Sequence, residues 1–151
     1  MSTAIITGGS RGFGRALAGG LIESGWSVVV DGRDDAALAA VAKELGESLH
    51  VVAGDVTDPT HREALVDAAR RIGGLDLLVN NASSLGPTPL PRLSEVSMED
   101  LRALHEVNVL APLALTQCAL PLLRVTGGAV LNVTSDAAVE AYEGWLSLIH
   151  I

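Results

Sequence analysis

The chain has 151 residues, 48% apolar and 19% charged, which fits one globular domain with a real core and excludes a disordered or fibrous polypeptide. Its 18 acidic against 10 basic residues give a net charge of -8. That balance argues against nucleic acid or an anionic membrane surface as the main partner, since both need a basic footprint, but leaves room for a small anionic ligand held locally. A single cysteine, Cys118, rules out a disulfide within the chain and is expected of a protein in the reducing cytoplasm. The N-terminus enters a strand-like run at Ala4, so no secretory leader is expected. No uninterrupted apolar run approaches the roughly 20 residues of a membrane span, so no membrane partner is expected either.

Short apolar runs alternate with longer helical patterns. Ala4-Ile5-Ile6-Thr7 is the first strand, followed by a helix over about 12–24 with Phe13, Leu17, Leu21 and Ile22 at helical spacing on one face. Ser27 to Asp31 is the second strand, and 35–46 the second helix. Leu49 to Ala53 precedes a helix over 59–72, opened by Asp58-Pro59 as N-cap and first-turn proline and closed by Gly73-Gly74. Leu75 to Val79 is the fourth strand, and an irregular, proline-bearing stretch from Ser83 to Ser94 follows it. Two helices, 97–108 and 111–124, lead to the fifth strand, Ala129 to Val133. Several strands are apolar on successive residues, as expected where helices cover both faces. Strand–helix alternation without hairpin signals predicts an α/β fold with a parallel sheet and right-handed crossovers. The 83–94 loop then falls at the carboxyl edge, where such sheets bind ligands.

The first strand runs directly into Thr7-Gly8-Gly9-Ser10-Arg11-Gly12-Phe13-Gly14. Gly8 lets the chain leave the strand sharply, Gly12 lets backbone approach a pyrophosphate, and Gly14 lets the following helix pack closely. The helix N-terminus adds free N–H groups and partial positive charge. A glycine cluster alone is a weak signal; one between a first strand and a first helix is a strong one.

Four further fragments follow in order, and with the glycine turn the chain resembles the short-chain dehydrogenase/reductase family over roughly residues 3–145. Asp55-Val56 follows the third strand, Asn80-Asn81-Ala82 ends the fourth with Ser83 replacing the glycine of the family's N-N-A-G, Asn108 lies in Glu106-Val107-Asn108-Val109, and Asn132-Val133-Thr134-Ser135 ends the fifth. The resemblance implies a Rossmann-type doubly wound parallel sheet, here truncated after the fifth strand, and an oxidoreductase moving a hydride between a nicotinamide cofactor and a carbonyl or alcohol substrate. It implies cofactor contacts from Thr7, Gly8, Ser10, Arg11, Gly12, Phe13, Gly14, Arg33, Asp55, Val56, Asn81 and Ala82. It makes Ser135 the residue that hydrogen-bonds the substrate oxygen and Asn108 the residue that positions a Lys through an ordered water. Family members of this kind are commonly homodimers or homotetramers. Asn80 and Asn81 also admit a simpler role, satisfying buried backbone groups.

Relatives that prefer NAD carry an acid at the second position after the apolar run of the second strand. Here Val28-Val29-Val30 is followed by Asp31-Gly32-Arg33, so that position is Gly32. Arg33 can pair with a 2′-phosphate, and Arg11 is the second basic residue of the NADP pattern. NADP(H) is therefore favoured over NAD(H), unless Asp31 turns toward the ribose and repels that phosphate.

The family's acid–base pair, Tyr-x-x-x-Lys, is absent from these residues. Family spacing from Ser135 puts the Tyr at Leu148 and the Lys one position past Ile151, while Tyr142 is the only tyrosine and Lys43 the only lysine. The last six residues, 146–151, are out of character with residues 1–145, and two of the chain's six isoleucines fall in the last three positions. Leu-Ser-Leu-Ile-His-Ile resembles the translated end of a transposon-type sequencing adapter, so a frame cut after Trp145 is the expectation, with catalysis absent from this copy. The alternative is a non-catalytic nucleotide sensor of the same fold. His50, His61, His105 and His150 have no metal-ligand spacing, so no metal site is expected.

Overall fold

The computed structural model describes residues 2–136. Tyr142, Trp145, Leu148 and the 146–151 segment singled out in the sequence lie outside the described residues. Five parallel strands, β1 (Thr3–Ile6), β2 (Ser27–Gly32), β3 (Leu49–Ala53), β4 (Leu77–Asn80) and β5 (Ala129–Asn132), form one sheet in the order β3-β2-β1-β4-β5. The order reverses at β1, so the gap between the loops after β1 and β4 is the switch point at which open α/β sheets bind ligands. The helices between the strands are α1 (Gly12–Glu23), α2 (Asp35–Leu45), α3 (Pro59–Ile72), α4 (Met98–His105) and α5 (Ala111–Thr126).

Strand register explains why the central strands are apolar at every position. Ile5 stands beside Val29 and Leu78, and Ile6 beside Val30 and Val79. Successive side chains point to opposite faces. Ile5, Val29 and Leu78 therefore join Leu65, Leu115 and Leu123 on the α3/α5 side. Ile6, Val30 and Val79 join Ala18, Leu38 and Val41 on the α1/α2 side.

Three helices begin as short polar residues dictate. Asp34 accepts the Ala37 N–H, Asp58 the Thr60 N–H ahead of α3 and its Pro59, and Ser97 the Asp100 N–H. The N-cap of α1, Arg11, supplies no side-chain cap.

Two expectations change. The helices expected over 97–108 and 111–124 are not separated: a π-helical segment, Glu106–Leu110, joins α4 to α5. The resulting helix, Met98–Thr126, has 29 residues and by length and apolar composition is long enough to cross a bilayer, which a reading of two helices did not foresee. Its Ala111, Leu115, Ala119 and Leu123 are buried on the sheet. Phe13 also leaves the apolar face assigned to it. Leu17, Leu21 and Ile22 pack on the α1/α2-side core, but Phe13, in the first turn of α1, is 59% exposed.

Candidate dinucleotide site

The glycine turn is shaped by backbone that only glycine adopts readily. Gly8 has φ +69° and Gly12 φ +58°. A Cβ on Gly14 would stand 2.5 Å from Asn81 Nδ2 and 2.6 Å from the Gly8 carbonyl oxygen, so the start of α1 closes directly on the strand ends. A Cβ on Gly12 would meet nothing within 4 Å: the space beside it is open. The first N–H groups of α1 lack intrahelical partners, as in any helix, and no side chain caps them.

Beside this turn lies a cleft of about 480 Å³, lined by Gly8, Ser10, Arg11, Asp31, Gly32, Arg33, Asp34, Ala37, Gly54, Asp55, Val56, Asn81, Ala82, Ser83, Ser84 and Val107. Of the residues predicted from the sequence to hold a cofactor, it gathers Gly8, Ser10, Arg11, Arg33, Asp55, Val56, Asn81 and Ala82. Thr7 and the first turn of α1, Gly12, Phe13 and Gly14, are not among its lining residues.

Thr7 and Asn81 brace one another. The Thr7 hydroxyl accepts the Asn81 and Ala82 N–H groups, each at 2.9 Å, and Asn81 Nδ2 donates to the carbonyls of Thr7 (2.8 Å) and Gly8 (3.3 Å). These bonds tie the ends of β1 and β4 across the switch point. Asn80 is buried; its Nδ2 donates to Asn132 Oδ1 (2.8 Å) and to the Thr116 hydroxyl (3.2 Å), joining β4, β5 and α5.

Asp31 is 2% exposed, at the edge of the cleft, and both of its carboxylate oxygens are engaged. Its Oδ1 accepts the Gly8 N–H (2.6 Å), its backbone carbonyl accepts the Gly9 N–H (2.9 Å), and its Oδ2 lies 3.0 Å from His61 Nε2. Asp31 thus clamps two successive residues of the glycine turn, and His61 holds Asp31 from α3. Sequence reasoning gave His61 no role. The next residue, Arg62, is also buried and donates from Nη1 to the carbonyls of Val56 and Thr57, both at 2.8 Å.

Asp55 takes the Thr57 N–H (2.9 Å) and the Thr57 hydroxyl (2.8 Å) on Oδ1. The Thr57 N–H holds the Asp55 carboxyl below the usual carboxylate range; the Thr57 hydroxyl and the nearby charges of Arg33 and His61 act in the same sense, against burial. The group lines the cleft as an anionic acceptor.

A second cavity of about 530 Å³ adjoins the first, sharing Ala82 and Ser83, and is lined on its far side by Asn108, Thr116, Asn132 and Thr134. Asn108 is 7% exposed, and both ends of its amide engage the Ser84 backbone. Ser135 follows Thr134 and donates to Asp136 Oδ1 at 3.1 Å.

Known proteins resemble this chain over nearly all of it. A sequence model of the family described as short chain dehydrogenase matches residues 2–147. Serine 3-dehydrogenase from Agrobacterium fabrum is 39% identical over 147 residues, which cover 94% of this chain and 57% of that protein. An alcohol dehydrogenase from the archaeon Thermococcus sibiricus, solved with 5-hydroxy-NADP, superposes with a TM-score of 0.89 at 31% identity, covering 99% of this chain and 65% of that one. A 3-ketoacyl-(acyl-carrier-protein) reductase from Brucella melitensis, solved with NADH, gives 0.90 at 30% identity over 97% of this chain and 62% of its own. The chain spans a little over half the length of the first of these relatives. With five ordered motifs meeting at one sheet edge and a family match along almost the entire sequence, the chain belongs to the short-chain dehydrogenase/reductase family.

Proposed function

We propose that these residues form the cofactor-binding part of a nicotinamide-dependent oxidoreductase acting on a carbonyl or alcohol substrate. The observation that carries this reading is the glycine turn at the switch point: its helix start is uncapped, the space beside Gly12 is open, and Gly8, Ser10 and Arg11 of the turn line a cleft together with Arg33. The orphan N–H groups of Gly12, Phe13 and Gly14 bind the pyrophosphate. Asp55 and Val56 hold the adenine, and Asn81 and Ala82 form the wall at the end of β4. The bound nicotinamide supplies or accepts the hydride. Ser135 hydrogen-bonds the substrate oxygen, and Asn108 shapes the adjoining cavity by fixing Ser84.

NADP(H) is the preferred cofactor in this proposal. Supporting it, Arg11 and Arg33 line the cleft and can pair with a 2′-phosphate, while both oxygens of Asp31 are engaged by Gly8 and His61. A cytoplasmic location goes with the single cysteine. Assembly into a dimer or tetramer goes with exposed Met98, Leu110 and Leu113 along the continuous Met98–Thr126 helix.

Residues 1–151 contain no Tyr-x-x-x-Lys, so in this proposal they bind cofactor without turning substrate over. Titration of the chain with NADPH and NADH, followed by nicotinamide fluorescence, tests the reading. Saturable binding with NADPH the tighter ligand is expected; absence of binding of either one overturns it. Substrate reduction by the 151-residue chain would overturn the inactivity.

A further inference from the structure

We propose that His61 is a positioning residue for the dinucleotide: it holds the buried carboxylate that fixes the glycine turn, and its protonation offsets that charge when an anionic ligand binds. The proposal rests on the dinucleotide reading above. Asp31 is almost wholly buried, and its two oxygens serve two elements: Oδ1 takes the Gly8 N–H and Oδ2 meets His61 Nε2. With Asp31 ionised, His61 carries a proton on Nε2 and donates. The ring has space reserved for it, because a Cβ on Gly54 would stand 2.3 Å from His61 Nδ1.

Turn geometry and charge oppose each other here. The carboxylate orders Gly8 and Gly9, yet it places negative charge beneath a turn that binds phosphates. A neutral His61 leaves the pair at one negative charge; a protonated His61 brings it to zero. Binding of a pyrophosphate therefore favours the protonated form, and by linkage formation of the complex is coupled to proton uptake.

The surrounding charges do not take over this task. Arg62 is adjacent in sequence, but its Nη1 donates to the Val56 and Thr57 carbonyls. Arg33, after β2, acts on Asp55, as does His61 itself. On α3, Asp58 caps the helix and Glu63 is exposed. His50 of β3 shares a cavity with Arg71 at the far end of α3. Strand β1 has no titratable residue, and of the two in α5 Cys118 is exposed and Arg124 lies in the last turn.

The test is NADH affinity of the 151-residue chain and its variants between about pH 6 and pH 8, with folding followed by circular dichroism. NADH is the probe because the 2′-phosphate of NADPH, with a pKa of about 6, titrates in the same range. Wild-type affinity is expected to fall roughly tenfold across that interval, with proton uptake seen by calorimetry in buffers of different ionisation enthalpy. His61→Gln keeps a donor near the Nε2 position but cannot protonate, so it should fold and lose the pH dependence. Asp31→Asn keeps an acceptor for the Gly8 N–H without the charge, and should bind NADH more tightly than wild type at about pH 8 with an altered pH profile; it carries the same test should H61Q fail to fold. A wild-type affinity that ignores pH, or an unaltered pH profile in a folded H61Q or D31N, overturns the proposal while leaving the dinucleotide reading intact. Failure of the wild-type chain to bind NADH or NADPH at any pH overturns both.

Discussion

The Asn108 side chain and the Ser84 backbone hold each other twice: Nδ2 donates to the Ser84 carbonyl and Oδ1 accepts the Ser84 N–H, each at 2.9 Å. The amide thus imitates a neighbouring strand for one residue of the loop that leaves β4. It does so from a π-helical turn, whose extra residue shifts the phase of the long helix at this point. Replacing Asn108 with Leu leaves two Ser84 groups without partners beside the cleft. The expected cost is about 2 kcal/mol of unfolding free energy, measured by urea denaturation, with faster proteolysis within 83–94. An unchanged midpoint would show that water replaces the amide at no cost.

Gly12 and Gly14 respond differently to alanine. A methyl on Gly14 meets Asn81 Nδ2 and the Gly8 carbonyl oxygen at under 3 Å, so Gly14→Ala must displace α1 or the turn and lose both stability and cofactor affinity. A methyl on Gly12 meets no protein atom within 4 Å, and its cost to the fold is the positive φ alone, on the order of 1 kcal/mol. It enters the flank proposed for the pyrophosphate. Gly12→Ala should therefore keep a near-native melting temperature while weakening NADPH binding at least tenfold in calorimetry. Equal affinity in G12A and wild type would move the pyrophosphate elsewhere.

The fold was legible because a parallel interior strand has to be apolar on both faces, and Val28-Val29-Val30 can hardly be anything else. The helix junction was misread because Val109-Leu110 carries no breaker; a π turn follows from packing rather than from local residue choice. Spacing alone puts Phe13 on one face with Leu17, Leu21 and Ile22, yet in the first turn of α1 it is exposed. For Asp31 the sequence left two directions open, since the choice depends on Gly8 and His61, both distant in sequence. The His61 signal was readable in part. It stands in helical phase with Leu65, Ala68 and Ala69, so its burial could be expected, though its partner could not.

Cofactor choice is expected to turn on two adjacent positions, the last residue of β2 and the one that follows it. Arg33→Ala removes a cation from the cleft and should weaken NADPH by about tenfold while leaving NADH within about twofold. Gly32→Asp places an acid where NAD-preferring relatives have one. Its Cβ would lie 3.2 Å from the Ser10 hydroxyl, so Ser10 must give way by a few tenths of an ångström. The variant should raise the NADH-to-NADPH affinity ratio, read as paired dissociation constants. A ratio unchanged in both variants would place the 2′-position away from Arg33.

Acid should expose the role of Asp55. Its carboxyl pKa is held low in the folded chain, first by the Thr57 N–H, so folding favours the ionised form. That contribution is complete above the unfolded carboxylate value of about 3.9 and disappears as pH falls through the lower folded value. Asp55→Asn cannot make it at any pH. At neutral pH the variant should be less stable than wild type, and the difference should shrink below about pH 4 as the wild-type carboxylate is protonated. Asp55 is only partly buried, so solvent screening keeps the difference small. Thr57→Val removes the hydroxyl donor and keeps the N–H, and it should reproduce only part of the effect. Urea midpoints across an acid series decide the matter: a gap that stays constant to about pH 2 means the Thr57 bonds stabilise the turn regardless of the charge on Asp55.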